Sequence, residues 1–273
     1  MDKNKKQKSK KQVQTRSLLL SQDTPFSVKE SFNMLRTNVL YMPTEYDGGT
    51  VIAITSAEES TGKSSTIANL AISFAQSSKK VILIDADMRC PRQYTFWDIK
   101  KDSLGLSEHL AGINTIDEVI IKNVRDGLDV IPSGHVPPSA SELVLSSRFT
   151  RLIAELKERY DFVFIDFPPI GVVADAAAVA NCITGYIFVI RANHSDAIGV
   201  KNALQALENV DANILGIVFN DLDFKAPGNR YGKYGRYGKY GKYGKYSKYG
   251  NSYSYASKYA RQAAEAAQEN KEQ

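Results

Sequence analysis

Cysteine, histidine and tryptophan are scarce in this chain of 273 residues, which holds two cysteines, three histidines and one tryptophan. Cys90 and Cys182 cannot form a disulfide framework or supply the four ligands of a structural zinc site. We expect both to be buried or free thiols in a reducing compartment. No apolar run approaches the roughly 18–20 residues that span a bilayer, and the basic start lacks the apolar segment of a signal peptide. These absences predict a cytoplasmic protein.

Charge is unevenly distributed along the chain, although the net charge is only +5. Residues 1–16 contain seven basic residues and one acidic residue, and residues 225–273 contain eleven basic and three acidic residues. Residues 17–224 therefore carry a net charge of −9. A net-acidic body is not typical of a DNA-binding domain. Its two basic ends favour contact with something anionic, such as a membrane surface or a nucleic acid.

Composition divides the chain into three zones. Residues 1–26 are polar and basic and are predicted to be a flexible arm, residues 27–224 alternate strand and helix patterns, and residues 225–273 form a tail. Apolar runs rich in β-branched and aromatic residues predict strands at 51–55, 81–85, 128–132, 162–166, 186–190 and 214–219. Helices are predicted at 28–40, 63–77, 141–158 and 196–209, the first with a capping box of Ser27 and Glu30. This alternation predicts an α/β fold, a mostly parallel β-sheet with helices on both faces.

The tail repeats with a period of three residues. A tyrosine stands at every third position, with glycine or serine and a basic residue between successive tyrosines. This period fits neither a helix nor a strand, and the repeat offers little to bury, so we expect the tail to be disordered. The seven tyrosines in register are Tyr231, Tyr234, Tyr237, Tyr240, Tyr243, Tyr246 and Tyr249.

A phosphate-binding loop follows the first predicted strand. The segment S-A-E-E-S-T-G-K-S-S at 56–65 matches the end of the pattern G-x-x-x-x-G-K-[ST], with Ala57 in place of the first glycine. Gly62 allows phosphates to approach the backbone, Lys63 can reach the β- and γ-phosphates, and the Ser64 hydroxyl can bind Mg²⁺. Because the loop lies between a strand and a helix, the sequence predicts a nucleotide site here.

Three carboxylates follow two other predicted strands. Asp85 and Asp87 stand at the end of the strand at 81–85, and Asp166 ends the strand at 162–166. Ligands of parallel sheets bind beyond the carboxyl ends of the strands, so these groups are expected beside the phosphate loop. One can bind Mg²⁺ directly, one can bind it through water, and one can accept a proton from an attacking hydroxyl. The plainer alternative for each is a capping role in the following turn.

Together these motifs resemble the bacterial tyrosine kinases of capsular and exopolysaccharide synthesis. That family has a phosphate loop with GKS, a strand that ends in (I/L/V)-D-x-D-x-R, a second strand that ends in Asp, and a C-terminal tyrosine cluster. This chain has I-L-I-D-A-D-M-R-C-P at 82–91, F-V-F-I-D-F-P-P at 162–169 and the tyrosine repeat. The segment G-H-V-P-P-S-A-S-E-L at 134–143 also resembles a loop of the family. The resemblance covers about residues 27–259.

The resemblance implies a P-loop NTPase fold of the partitioning-ATPase-like group. It also implies ATP-dependent autophosphorylation of the tail tyrosines, with ATP and Mg²⁺ as cofactors, in control of capsular or exopolysaccharide synthesis or export. The partners implied are a separate membrane-embedded activator, further copies of the chain and a phosphotyrosine phosphatase, with recruitment to the inner face of the cell membrane. No specific nucleic acid is expected.

Residue roles follow from the same resemblance. The tail tyrosines are the phosphoacceptors, and the identity of the base among the three carboxylates stays open. The nucleotide-binding residues implied are Ser60, Thr61, Gly62, Lys63, Ser64, Ser65 and Asn220. The metal ligands implied are Ser64, Asp85 and Asp166, and the catalytic residues are Lys63, Asp85, Asp87 and Asp166.

The chain departs from the family pattern at two places. Glu59-Ser60 replaces the Pro-Gly that is usual in the phosphate loop, so the backbone there has less conformational freedom. The family often begins with E-x-x-R-x-x-R, which is used in subunit contacts. Glu30 and Arg36 match this motif and are predicted to make such contacts, whereas Asn33 replaces the middle arginine.

Three alternative interpretations remain open. A partitioning or cell-division ATPase of the same fold would carry an additional lysine in the loop, at the position of Glu58. The chain could also be an inactive kinase that serves as a scaffold. Finally, the tail could bind RNA or another polyanion, with tyrosines stacking on bases and lysines neutralising phosphates.

Overall fold

The computed structural model describes residues 18–42 and 48–222, and these residues contain one seven-stranded sheet. Its strands are β1 (Thr50–Ser56), β2 (Val81–Asp85), β3 (Ile121–Arg125), β4 (Leu128–Ile131), β5 (Phe162–Asp166), β6 (Gly185–Arg191) and β7 (Ile214–Asn220). Their order across the sheet is β3-β4-β2-β5-β1-β6-β7. All neighbours are parallel except β3 and β4, which are antiparallel. The predicted class, a mostly parallel α/β sheet, is confirmed.

Helices connect the strands and cover both faces of the sheet. They are α1 (Phe26–Leu40), α2 (Lys63–Ala75), α3 (Gln93–Phe96), α4 (Leu106–Ala111), α5 (Ile116–Val119), α6 (Ala140–Val144), α7 (Ser147–Arg159), α8 (Asp175–Ala178) and α9 (Ala197–Glu208). On one face Ile67 and Phe74 of α2 share a buried cluster with Ile52 of β1. On the other face Phe149 of α7 shares a second cluster with Val51 of β1. Successive residues of the central strands therefore point into opposite cores, which explains their unbroken apolar sequences.

The central strands end together at the edge that carries the predicted site. Asp85 of β2 pairs in register with Asp166 of β5, and Ile54 of β1 also pairs with Asp166. The phosphate loop leaves β1 two residues farther on and enters α2. The three motifs that lie far apart in the sequence thus meet at one edge of the sheet, as predicted.

The first helix begins earlier than predicted and lacks the predicted capping box. Helix α1 starts at Phe26 after Pro25, and no side chain caps its first turn. Ser27 therefore lies inside the helix, because the fixed φ of Pro25 already sets the chain direction before it. Glu30 instead accepts a hydrogen bond from the amide of Asn33, with 2.9 Å between Oε1 and Nδ2.

Three further elements differ from the sequence prediction. The helix predicted at 141–158 is divided into α6 and α7, because Ser146 takes an extended conformation and its hydroxyl donates to the carbonyl of Leu143 at 2.7 Å. Strand β3 was not predicted because I-K-N-V-R is mostly polar and lies at the edge of the sheet. The predicted strand at 128–132 ends at Ile131.

Part of the predicted flexible arm packs on the domain. Leu19 and Leu20 are buried. The side chain of Asn69 in α2 accepts from the Leu20 amide at 2.6 Å and donates to the Leu18 carbonyl at 2.9 Å. The end of the segment 1–26 is therefore ordered against α2, and its first 17 residues lie outside the described part. The tail at 225–273 also lies outside it. Among the described helices, none is both long and apolar enough to cross a membrane.

Candidate nucleotide-binding site

The phosphate loop ends in a glycine that the geometry requires. Gly62 precedes the first residue of α2 and has a left-handed conformation, with φ of +91°. A Cβ atom there would stand 2.0 Å from Nδ2 of Asn220. That amide donates to the carbonyl of Thr61 at 2.8 Å. Asn220 at the end of β7 thus fixes the loop backbone, which is a structural role that the sequence did not indicate.

Lys63 lies beside the carboxylates at the ends of β2 and β5. Its ammonium group is 3.1 Å from Oδ2 of Asp87 and 3.9 Å from Oδ1 of Asp166, and its side chain is only 9% exposed. Burial alone would lower the pKa of Lys63, but the attraction of Asp166 and Asp87 raises it above its ordinary value. The lysine is therefore held charged in a site that largely excludes water.

Asp85 is a fully buried carboxylate at the end of β2. Its Oδ2 accepts hydrogen bonds from the backbone amides of Arg92 and Gln93, at 3.0 and 2.9 Å. Its Oδ1 is buried and has no hydrogen-bond partner among the described residues. Burial, together with the negative charge of Asp166, raises the pKa of Asp85 well above its ordinary range. An unsatisfied buried carboxylate oxygen is an observation that fits a cation ligand.

Asp166 is also fully buried. Its Oδ2 accepts a hydrogen bond from the side-chain amide of Gln93 at 2.9 Å, and its Oδ1 lacks a hydrogen-bond partner within the described part of the chain. Burial raises the pKa of Asp166, although the charge of Lys63 and the nearby hydroxyl of Ser64 oppose this effect. Two unsatisfied carboxylate oxygens thus occur on neighbouring strands beside one lysine.

Gln93, the first residue of α3, links the end of β5 to the start of α2, and no sequence motif indicates it. Besides Asp166, its Nε2 donates to the backbone carbonyl of Ser64 at 3.2 Å, and its Oε1 accepts from the indole of Trp97 at 3.1 Å. Gln93 is completely buried. A lone glutamine after a turn carries no recognisable motif, so only the three-dimensional contacts reveal it.

The residues present fit a nucleotide with Mg²⁺ better than a metal ion alone. No group of three or more histidine, cysteine or acidic side chains in residues 18–42 and 48–222 forms a ready metal centre. The hydroxyl of Ser64, the two unsatisfied carboxylate oxygens, phosphate oxygens and water together would supply the oxygen ligands that Mg²⁺ prefers. The backbone amides at the start of α2 favour phosphate at the same place.

Comparison with known proteins identifies the family. A family model described as an AAA domain matches residues 49–217. The tyrosine-protein kinase CpsD of Streptococcus agalactiae is 35% identical over 208 residues, which cover 76% of this chain and 90% of that protein. The chain belongs to the bacterial tyrosine kinases. The solved kinase domain of the Escherichia coli tyrosine kinase ETK is 31% identical with a TM-score of 0.69, over 82% of this chain and 80% of that one.

A more distant structure supports the fold alone. The septum site-determining protein MinD of Pyrococcus horikoshii, solved with Mg-ADP, is 23% identical with a TM-score of 0.54, over 63% of this chain and 70% of that one. The predicted P-loop NTPase fold of the partitioning-ATPase-like group is confirmed. In this kinase Glu58 occupies the place of the additional lysine of the partitioning ATPases. Its carboxylate accepts from the backbone amide of Asp196 at 2.7 Å, before α9.

The unusual phosphate loop of this kinase is held from β6. Ser60 has a φ of +59°, so the position that is usually glycine in the family still takes a left-handed conformation. The guanidinium of Arg191 donates to the Ser60 carbonyl at 3.2 Å and to Oδ2 of Asp221 at 2.9 and 3.0 Å. Arg191 thereby ties the strained loop to the end of the sheet.

The remaining predicted site residues have mixed outcomes. Ser65 donates to the Gly62 carbonyl at 3.0 Å, and the buried hydroxyl of Thr61 has no partner in the described part. Arg36 donates to the Ser73 carbonyl at 2.5 Å within the chain, so its predicted subunit contact stays a prediction, as does that of Glu30. Both cysteines are free thiols, as predicted. All seven tail tyrosines lie outside the described residues.

Proposed function

We propose that the chain is an ATP-dependent tyrosine autokinase whose acceptors are the tail tyrosines Tyr231, Tyr234, Tyr237, Tyr240, Tyr243, Tyr246 and Tyr249. The observation that carries this proposal is the contact of Lys63 with both Asp87 and Asp166 at the start of α2. Such a cluster suits the transfer of a phosphoryl group, in which positioning and charge stabilisation provide most of the catalysis. The membership of the chain in the tyrosine-kinase family supports the acceptor chemistry.

Each polar group has a separate task in this scheme. Lys63 and the amides at the start of α2 hold the β- and γ-phosphates, and the Asn220 amide keeps the loop in the required shape. The Ser64 hydroxyl, Asp85 and Asp166 would hold Mg²⁺, directly or through water. When bound, Mg²⁺ neutralises charge on the phosphate oxygens.

We assign to Asp87 the role of the base that accepts the proton of the tyrosine hydroxyl. A cleft of about 610 Å³ opens beside the phosphate loop, and of the three carboxylates Asp87 is the one among its lining residues. The phenol oxygen of a tail tyrosine attacks the γ-phosphorus, the bond from phosphorus to the ADP oxygen breaks, and the phenol proton passes to Asp87. Lys63, which is 3.1 Å from Asp87, provides the positive charge between donor and acceptor.

The tail also gives the proposal a regulatory side. Residues 225–273 carry a net charge of +8, and each phosphate adds about −1.5 to −2 charges at pH 7. We expect the unmodified tail to favour anionic membrane surfaces and a multiply phosphorylated tail to leave them, which binding to anionic vesicles can measure. A membrane-embedded activator, self-association, an opposing phosphatase and a role in capsular or exopolysaccharide synthesis belong to the same proposal.

The decisive experiment is an autophosphorylation assay. The purified full chain is incubated with ATP and Mg²⁺, with and without a fused activator fragment, and phosphotyrosine is located by mass spectrometry. Lys63→Met is the test variant. Lys79→Met is its matched control, because Lys79 is an exposed lysine just before β2, at the opposite edge of the sheet. Phosphate on tyrosines 231–249 that is lost only in Lys63→Met supports the proposal. Intact ATP binding without phosphotyrosine, even with the activator, favours an inactive scaffold instead.

A further inference from the structure

The cleft beside the phosphate loop continues beyond the groups used for phosphoryl transfer. Its inner end is formed by the loop and by Asp87, and its outer end lies along the segment that follows β2. Apolar and aromatic side chains line the outer end together with three cationic ones. These residues are Arg92, Tyr94, Phe96, Ile99, Lys100 and Lys101.

The charged side chains that line the outer end of the cleft are all cationic, while the exposed Asp98 and Asp102 flank its lysines in the sequence without lining the cleft. Arg92, Lys100 and Lys101 are exposed at its rim, and neither lysine forms an ion pair within the described residues. The acidic residues that line the cleft, Glu59 and Asp87, belong to its inner end, and Asp87 is already paired with Lys63. The lining of the rim therefore favours an anionic ligand.

Sheet order separates this rim from the other flank of the loop. Asn220 closes the loop from β7, which is separated from β1 by β6 on one side. The cationic rim follows β2, which is separated from β1 by β5 on the opposite side. A nucleotide whose base extends toward Asn220 leaves the rim open to a second ligand.

The tail has the chemistry to be that ligand, but only after modification. Between its tyrosines the tail is basic, so the unmodified repeat is repelled by the rim. A phosphotyrosine brings about −1.5 to −2 charges and an aromatic ring, which match the lysines and the apolar lining respectively. Three residues of extended chain span about 10 Å, so a phosphotyrosine at the rim leaves its neighbour in the repeat free to reach the inner end.

We propose that Arg92, Lys100 and Lys101 form a phosphotyrosine subsite, so that one modified tail tyrosine promotes the modification of the next. This inference rests on the proposed autokinase function. The first phosphoryl transfer, to a tail without phosphotyrosine (an unprimed tail), is slow. Later transfers use a tail that the phosphate already attached holds at the rim (a primed tail).

A binding experiment tests the subsite without any turnover. The full chain with all seven repeat tyrosines changed to phenylalanine is saturated with ADP and Mg²⁺. Fluorescence anisotropy then measures the affinity for the labelled peptide YGKYGKYGK and for the same peptide with one phosphotyrosine. We expect the phosphopeptide to bind about fivefold or more tightly at low salt, since two or three partly exposed ion pairs contribute that much.

Variants of matched charge identify the surface that binds. Lys100→Ala with Lys101→Ala should abolish the preference for the phosphopeptide. Lys79→Ala with Lys80→Ala removes the same charge from another exposed pair and should preserve it. Equal affinity for both peptides, equal loss in both double variants, or displacement of the phosphopeptide by an equally charged RNA oligonucleotide would overturn the proposal.

Kinetics separates this inference from the proposed function. The same chain should phosphorylate the primed peptide with a KM at least threefold lower than that of the unprimed peptide and with a similar kcat. Lys100→Ala with Lys101→Ala should remove this difference in KM. If both peptides are phosphorylated with equal KM, the subsite is wrong and the kinase function stands. If neither is phosphorylated, the binding measurement alone decides whether the subsite exists.

Discussion

Replacing Asp85 by asparagine should stabilise the metal-free protein. One carboxylate oxygen of Asp85 is buried without a hydrogen-bond partner in the described residues, and burial raises the pKa of this group. A buried polar atom left unsatisfied costs about 1–3 kcal/mol. Asparagine keeps the oxygen that accepts from Arg92 and Gln93, and its amide can donate toward Asp166. The free energy of unfolding should rise by about 1–2 kcal/mol, since the unsatisfied buried oxygen is replaced by an amide that can donate a hydrogen bond.

Thermal unfolding followed by circular dichroism at pH 7.5 with EDTA measures this effect. For a domain of this size, 1–2 kcal/mol corresponds to a rise of about 2–8 °C in Tm. Because the folded-state pKa of Asp85 is raised, the native protein binds more protons than the unfolded chain, and wild-type stability should fall as pH rises through that pKa. This fall should be smaller in Asp85→Asn. Mg-ADP should raise the Tm of the wild type more than that of the variant, because a metal ligand has been removed.

Asp129→Asn is the matched control for this experiment. Its Oδ1 accepts from the backbone amide of Asn123 at 2.7 Å and its Oδ2 accepts from the Tyr160 hydroxyl at 2.6 Å, so both oxygens are satisfied. This variant should lose about 1 kcal/mol. A lower Tm for metal-free Asp85→Asn would refute the reasoning, because it would show that the Asp85 carboxylate is already compensated.

Three more predictions concern the loop and its charges. Gly62→Ala should weaken Mg-ATP binding at least tenfold by calorimetry, because its Cβ would stand 2.0 Å from Nδ2 of Asn220. The control Gly199→Ala should leave the affinity unchanged, because the nearest atom to its Cβ would be 3.5 Å away, and equal affinities of the two variants would contradict the prediction. Ser60→Gly should raise the free energy of unfolding by about 1 kcal/mol in denaturant titration, because it relieves a φ of +59°, and a decrease would count against strain there. Mg-ADP binding should release protons at a pH below the raised pKa of Asp85, since this carboxyl must ionise to bind metal. A binding enthalpy that does not depend on the buffer at any pH at which the protein is folded would disprove this.

The sequence was sufficient for the parallel core because every central strand is buried on both faces. Strands β1, β2 and β5 carry continuous apolar runs, and their carboxyl ends had to lie at one edge, where the loop and Asp166 were expected. Elements at the edge of the sheet were harder to predict from the sequence. Strand β3 has a half-exposed polar sequence, and the break before α7 depends on one serine hydroxyl.

Site residues that belong to a sequence motif could be predicted, whereas residues that act through single long-range contacts could not. Lys63 and the three carboxylates follow from their spacing after strands. Gln93 and Arg191 have no motif, because each acts through bonds to residues far away in the sequence: Gln93 to Asp166, and Arg191 to Ser60. The packing of residues 18–20 on the domain was missed for the same reason, since Asn69, which bonds to the backbone of Leu18 and Leu20, lies about 50 residues away in the sequence.

The departure of the phosphate loop from the family pattern is compensated in this structure. Ser60 keeps the left-handed conformation that glycine adopts more easily, at a cost of about 1–2 kcal/mol. Arg191 and Asn220 each bond to a loop carbonyl, those of Ser60 and Thr61, and so hold the conformation that Gly62 also requires. A cost of this size corresponds to a factor of about 5 to 30 in an equilibrium constant, before the two hydrogen bonds offset part of it. The Glu59-Ser60 substitution therefore argues for a modified binding affinity and not for an inactive enzyme, because Lys63 and its carboxylate partners are in place.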